Sequence, residues 1–388
     1  MDKMSVRPEV APVLAPIPVP GRRIRVMVVD DSGFMRLAIR KMIDRTDGIE
    51  VVGEAREGKT AVDMAKRLAP DVITMDLEMP GMDGLAATKA IMKERPVPII
   101  VVSSLTQPGA EQTLRALKLG AVDFISKSSS FVQLDIVQID QELRRKILHW
   151  AKPQPLARSR PSVVIAANYR PIVAPAAQVD LVVVGVSTGG PKIMAEFLHT
   201  TGTLHCPMII AQHMPQLFTT SFARHLAFDT GLDVIEGTDG MELRPGQVVI
   251  LPGGVDSAVR RRGGRLVLAR TYPDEGTIHP SVDALFASAL TATTSPVAVV
   301  MTGMGRDGTL GAKAFAAKCF PVLVQAPETC VVSGMPNSVI EAGVSPLVLT
   351  LAEIGRRLVR WCVAPGKPQR PWPYPESAKG RVPFEPFV

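Results

Sequence analysis

The stretch "LVVVGVSTGGPK", residues 181–192, carries an apolar, mostly β-branched run straight into a turn built on Gly189 and Gly190. A short apolar run bounded by turn residues reads as a strand buried on both faces, and the glycines mark a sharp exit into a helix. Strand, tight turn and helix in that order belong to an α/β sheet. The turn leaves Ser187 at its start. Three readings stand side by side there: a nucleophile in a G-x-S-x-G turn, a phosphate-cradling loop, or a plain glycine turn. The phosphate loop is the poorest match, because Lys192 does not fall at the G-x-x-x-x-G-K-[ST] spacing.

Outward from this segment the alternation repeats. "PMIIAQH", "DVIEG", "QVVILP" and "VAVVMTG" read as further strands, with helical patterns such as "QLFTTSFARHLA" and "SVDALFASALTA" between them. "AVRRRGGRLVLAR" predicts a hairpin turned at Gly263–Gly264. The C-terminal half is therefore expected to be a doubly wound α/β domain with an antiparallel corner, over residues 179–363. Upstream, "IRVMVVDD" (24–31), "IEVVGEA" (49–55), "DVITMDL" (71–77), "PIIVVSS" (98–104) and "VDFISK" (122–127) alternate with helix-length amphipathic stretches. They predict a five-stranded, doubly wound parallel sheet over residues 24–145. Residues 146–178 form a proline-rich basic linker in this reading, 1–23 a disordered extension and 364–388 a proline-rich tail.

Composition narrows the function. The chain has 388 residues, 46% hydrophobic and 21% charged, an ordinary globular balance. The net charge of +7 is concentrated in residues 1–23 (+2), 151–178 (+4) and 364–388 (+2), which also hold 17 of the 34 prolines. The remainder is close to neutral, so no basic groove for nucleic acid is expected. No apolar stretch is long enough to span a membrane, and the proline-broken N-terminus is no signal peptide; the expectation is a cytoplasmic protein without membrane insertion. Four dispersed cysteines suggest neither a zinc site nor a disulfide framework.

In open α/β sheets, groups leaving the carboxyl ends of strands converge on one crevice. In the first domain those ends carry Asp30, Asp31, Asp76, Ser103 and Lys127. Three carboxylates form a hard-oxygen site for Mg²⁺; a hydroxyl and an ammonium beside them would hold a phosphoryl group on Asp76. In the second domain the ends carry Ser187, His213 and Asp307, a nucleophile, a base and its orienting carboxylate, with the amides of the "TGMGRDG" loop as oxyanion donors. No cofactor is needed for that hydrolysis. His205, His225 and His279 are rival bases, and Asp239 and Asp283 rival carboxylates, Asp283 being read as a helix cap or a solvent-facing group.

"VVDDSGFMR", "MDLEMPGMDG", "VVSS" and "AVDFISK" resemble the receiver domain of two-component response regulators. One departure is Ser128, where that family usually has proline after its lysine. The segments around Ser187, His213 and Asp307, with "GMELRPGQVVILPGG", "HPSVDALF" and "CVVSGMPNSV", resemble the catalytic domain of the chemotaxis protein-glutamate methylesterases. The resemblance implies a phosphorylation-activated serine hydrolase. Its substrates would be glutamate methyl esters, and in some relatives glutamines, on the cytoplasmic helices of chemoreceptors, with a histidine kinase as phosphodonor. It also implies that the receiver packs against the catalytic domain, and that Thr188 and, through its backbone, Met304 line the oxyanion region. Asp256, where relatives commonly have histidine, and Ala326, where an acidic residue is common, depart from the pattern. A different class of function, a phosphorylation-dependent adaptor with a vestigial site, is the alternative.

Overall fold

The structure is a computed structural model that describes residues 22–127, 133–151, 175, 178–271, 278–344 and 346–362. The expectations for residues 1–21 of the N-terminal extension, Ser128, most of the linker and the C-terminal tail lie outside the described residues.

The first unit alternates β1 (Ile24–Val29), α1 (Gly33–Asp44), β2 (Ile49–Ala55), α2 (Gly58–Leu68), β3 (Val72–Asp76), α3 (Gly84–Glu94), β4 (Ile99–Ser104), α4 (Gln107–Leu119), β5 (Asp123–Lys127) and α5 (Gln133–Trp150). The strands form one parallel sheet in the order β2-β1-β3-β4-β5. Side chains alternate between its faces: Met27 and Val29 enter one core and Val26 and Val28 the other. This is why the strands read as unbroken apolar runs. Ser32, Asp83 and Thr106 cap α1, α3 and α4 through their side-chain oxygens, satisfying first-turn N–H groups that would otherwise lack partners. Helix α5 runs on through residue 145 to Trp150, because Ile147 and Trp150 are buried and the Lys146 ammonium reaches Asp123 Oδ1 at 2.9 Å.

The second unit comprises β6 (Leu181–Val186), α6 (Gly190–Thr201), β7 (Met208–Gln212), α7 (Gln216–Thr230), β8 (Val234–Glu236), β9 (Val248–Ile250), β10 (Asp256–Arg262), β11 (Arg265–Thr271), α8 (Val282–Ala292), β12 (Pro296–Val300), α9 (Thr309–Ala317), β13 (Val322–Gln325), α10 (Gly334–Glu341), β14 (Leu347–Leu349) and α11 (Leu351–Trp361). Seven parallel strands lie in the order β14-β13-β12-β6-β7-β9-β8, with β10–β11 as a separate antiparallel hairpin. Strand β6 is where the order reverses, so a crevice opens beyond its carboxyl end. Its neighbours are β12 and β7, which sets three strand ends side by side.

The two units dock through α4 and α7. Phe124 of β5 stacks on Phe218 of α7, with ring centroids 4.9 Å apart, a pair worth about 0.5–1.5 kcal/mol beyond its area. Around it Gln107 donates to Ser221 Oγ (2.9 Å), Lys118 pairs with Asp229 (2.6 Å) and Arg224 with Glu111 (3.0 Å).

Candidate active site

The acidic cluster of the first unit assembles as the strand-end argument requires. Carboxylate oxygens of Asp30, Asp31 and Asp76 lie within 4.8 Å of one another. Lys127 Nζ sits 3.0 Å from Asp30 and 2.8 Å from Asp76. Ser103, also buried, donates to the Gly109 carbonyl at 3.1 Å. Hard oxygen donors clustered this closely fit Mg²⁺. Burial pushes the Asp76 carboxyl above its usual value and neighbouring Asp30 adds to this; the hydrogen bond and charge of Lys127 only partly offset them. A carboxyl whose native pKa is raised stabilises the fold below its unfolded pKa and loses that contribution as pH rises through the native value. At neutral pH ionised Asp76 is therefore a burden. Asp76→Asn is expected to raise the unfolding temperature, by roughly 2–4 °C per kcal/mol relieved, while abolishing phosphoryl acceptance; thermal denaturation at pH 7 and phosphodonor labelling check both.

In the second unit, Ser187 follows β6 directly. Gly189, at φ +84°, turns the chain through the left-handed region into α6, a conformation costly to any residue with a Cβ. The Ser187 main chain is pinned, its N–H donating to the Thr302 carbonyl at 3.0 Å and its carbonyl accepting from Gly190 at 2.9 Å. His213 follows β7. Its Nε2 lies 2.8 Å from Asp307 Oδ2, while its Nδ1 is buried with no hydrogen-bond partner. Both Ser187 and His213 line a cavity of about 890 Å³, together with Thr188, Met304 and His279. Its opposite wall comes from the first unit, including Phe124, Glu142, Arg145 and Trp150.

Asp307, in the loop after β12, receives more than His213. Val282 N–H donates to Oδ2 at 2.7 Å, and Asp283 and Gly308 N–H groups each donate to Oδ1 at 2.9 Å. The carboxylate thus sits on the N-terminus of α8, where the helix dipole favours an anion. Burial works to raise its pKa, but the hydrogen bond and charge of His213 and the α8 amides outweigh it, and the carboxyl is held below its ordinary value.

Of the rival residues, Asp239, Asp283 and His279 find other partners. Asp239 accepts from the Arg270 N–H at 2.8 Å. Asp283 neither caps α8 nor faces solvent as expected: Ser281 is the cap, and Asp283 Oδ1 accepts from the Gly311 N–H at 2.7 Å, tying α8 to α9. His279 does line the cavity, its Nδ1 3.0 Å from Asp256 Oδ1, and Asp256 also accepts from the Ser281 N–H at 2.7 Å. The departure at Asp256 therefore supports the loop that enters α8. Ala326 is buried, its N–H bonded to the Leu349 carbonyl. The sequence reading missed the Val282 and Asp283 amides, which announce themselves by no local motif, and Gln212, whose side chain contacts both Ser187 and His213 main chains.

A five-stranded receiver carrying a close acidic cluster, docked over an α/β domain with serine, histidine and aspartate at adjacent strand ends, defines a response regulator whose output is a hydrolase. Residues 26–137 match the response regulator receiver domain and residues 182–358 the CheB methylesterase family. A protein-glutamate methylesterase/protein-glutamine glutaminase of Carboxydothermus hydrogenoformans is 41% identical over 87% of this chain and 98% of its own. One of Halalkalibacterium halodurans is 41% identical over 88% and 99%. The crystal structure of the Thermotoga maritima CheB methylesterase catalytic domain is 35% identical, covering 47% of this chain and 99% of its own, with a TM-score of 0.45. The chain belongs to the protein-glutamate methylesterase family.

Proposed function

We propose that the chain is a phosphorylation-activated esterase that hydrolyses glutamate γ-methyl esters on chemoreceptors, with Ser187 as nucleophile, His213 as base and Asp307 as its orienting partner. The observation that carries this reading is His213, paired with Asp307 at 2.8 Å, in the wall of the cavity that Ser187 also lines. With Nε2–H donating to Asp307, the unprotonated Nδ1 is the acceptor left for the Ser187 hydroxyl proton. Ser187 Oγ then bonds to the γ-carbonyl carbon. The oxyanion that forms is met by main-chain N–H groups near Thr188 and Met304. His213 returns the proton to the departing methoxide and methanol leaves. Water, deprotonated by the same imidazole, resolves the acyl-enzyme to a glutamate carboxylate and free serine. A glutaminyl side chain passes through the same steps with ammonia as the leaving group.

Phosphorylation of Asp76 by a histidine kinase governs access. A Mg²⁺ bound by Asp30, Asp31 and Asp76 would supply the charge that offsets the phosphoryl oxygens, and Lys127 and Ser103 would hold them. Access is restricted because the receiver forms one wall of the catalytic cavity. No helix among the described residues is long and apolar enough to cross a membrane.

The test is methanol release from methylated receptor membranes, with and without a small phosphodonor and Mg²⁺. Release that rises with phosphodonor in wild type, and does not rise in Asp76→Asn, supports the reading. No release from wild type whose Asp76 still takes phosphate would return the chain to an adaptor role. The docking surface makes its own prediction. Lys118→Glu combined with Arg224→Glu places like charges against Asp229 and Glu111, two largely exposed pairs worth well under 1 kcal/mol each as they stand. Methanol release without phosphodonor is expected to rise roughly 3–10-fold as the closed arrangement loses population.

A further inference from the structure

We propose that Gln212 is the positioning residue that ties the main chains of Ser187 and His213 together across the crevice and so sets the approach of their side chains, a role that rests on their assignment as nucleophile and base. The sheet's own hydrogen-bond ladder stops just short of the site. Val186 and Gln212 are the last register pair of β6 and β7, and the His213 N–H to the Val186 carbonyl, at 3.0 Å, is the final rung. Ser187 and His213 are thus each the first residue beyond the ladder, where the two strands part to open the crevice. The Gln212 side chain spans that gap. Its Nε2 donates to the Ser187 carbonyl at 3.0 Å and to the His213 carbonyl at 3.2 Å. A primary amide carries two N–H donors, so one planar group ties the main chain of the nucleophile to the main chain of the base.

The amide is held in this pose. Gln212 is 1% exposed, and a Cβ on Gly190 would lie 2.1 Å from Gln212 Oε1. Only a residue without a side chain at the first position of α6 leaves room for the amide. Its other end is unrewarded, because Oε1 is buried without a hydrogen-bond partner. A buried acceptor left unpaired is a penalty that a methionine of similar volume would avoid. The arrangement makes sense where the donor end is required, and misplacing a catalytic group by about 1 Å costs on the order of 100-fold in rate.

The test uses the full chain in four forms: wild type, Gln212→Met, Gln212→Glu and Gly190→Ala. Two rates are measured from about pH 8 down to 6, covalent labelling of Ser187 by a fluorophosphonate and kcat for methanol release with its KM. In Gln212→Met and Gly190→Ala, which respectively remove the donor and crowd it out of place, labelling and kcat are expected to fall together by about 10–100-fold, with KM within about twofold. Gln212→Glu sets a carboxylate against two carbonyls, so it should be impaired at pH 8. It should regain ground on wild type as acid restores an O–H donor, a trend that Gln212→Met lacks. A Gln212→Met protein that melts like wild type and is labelled within about threefold of its rate overturns the proposal, as does a loss confined to KM. If that variant fails to fold, the pH trend of Gln212→Glu decides, its absence counting against the role. A wild type that is labelled but releases no methanol sinks the substrate reading alone, and the labelling series still judges Gln212.

Discussion

Ser187→Ala is expected to cut methanol release by roughly 10⁴-fold or more while leaving stability within about 0.5–1 kcal/mol of wild type. The two expectations come from different parts of one residue. Everything that Ser187 contributes to the fold runs through its main chain: the N–H to Thr302 and the carbonyl that receives Gly190 and Gln212. Its hydroxyl has no hydrogen-bond partner among the described residues, although the residue is only 9% exposed. Alanine keeps the turn and removes the hydroxyl proposed as nucleophile. Thermal denaturation, Asp76 phosphorylation and methanol release on the same preparation check the separation. An alanine variant retaining more than about 1% of wild-type turnover would remove Ser187 from the chemistry. A variant that unfolds would show that the hydroxyl is structural.

That Ser187, His213 and Asp307 could be picked out as strand-end candidates follows from sheet physics. Each stands at or shortly after the end of an apolar run covered on both faces, and the carboxyl ends of parallel strands share a crevice. The same logic gathered Asp30, Asp76, Ser103 and Lys127. Two short strands escaped, the four residues of β13 after Pro321 and the three of β14 after Pro346, although β8 and β9, no longer, were read from "DVIEG" and "QVVILP". The continuation of α5 to Trp150 was hidden because its signal is tertiary, the burial of Ile147 and Trp150 and the Lys146–Asp123 pair, while the first proline of the linker arrives only at 153. Resemblance implied that the receiver covers the catalytic domain. It could not say that Phe124 meets Phe218, or that Lys118 meets Asp229, since such pairs are more than 90 residues apart and leave no local trace.

Asp307→Asn is expected to lower turnover by about 10³–10⁴-fold, and, unlike Ser187→Ala, to weaken the fold as well. Every group that meets this carboxylate closely is a donor: His213 Nε2 and Val282 N–H at Oδ2, Asp283 N–H and Gly308 N–H at Oδ1. An asparagine has one acceptor end and one donor end. Whichever way its amide turns, an N–H group faces N–H groups: His213 and Val282 at the Oδ2 position, or Asp283 and Gly308 at the Oδ1 position. If the amide nitrogen faces the imidazole, the ring is pushed toward the tautomer with Nδ1 protonated, which can no longer accept the serine proton. In either pose buried main-chain donors lose their acceptor, at about 1–3 kcal/mol. The two failures separate in a pH series. The Asp307 pKa lies below that of an unfolded carboxyl, so its stabilisation is present above about pH 4 and disappears as pH falls through the native value. The stability gap between wild type and Asp307→Asn should be full at neutral pH and narrow below about pH 4. The activity gap should persist throughout the range where the imidazole can act as base, because Asp307 is ionised across all of it. A variant that loses stability yet keeps turnover within tenfold would make Asp307 an anchor for α8 and leave His213 oriented by its own strand end alone.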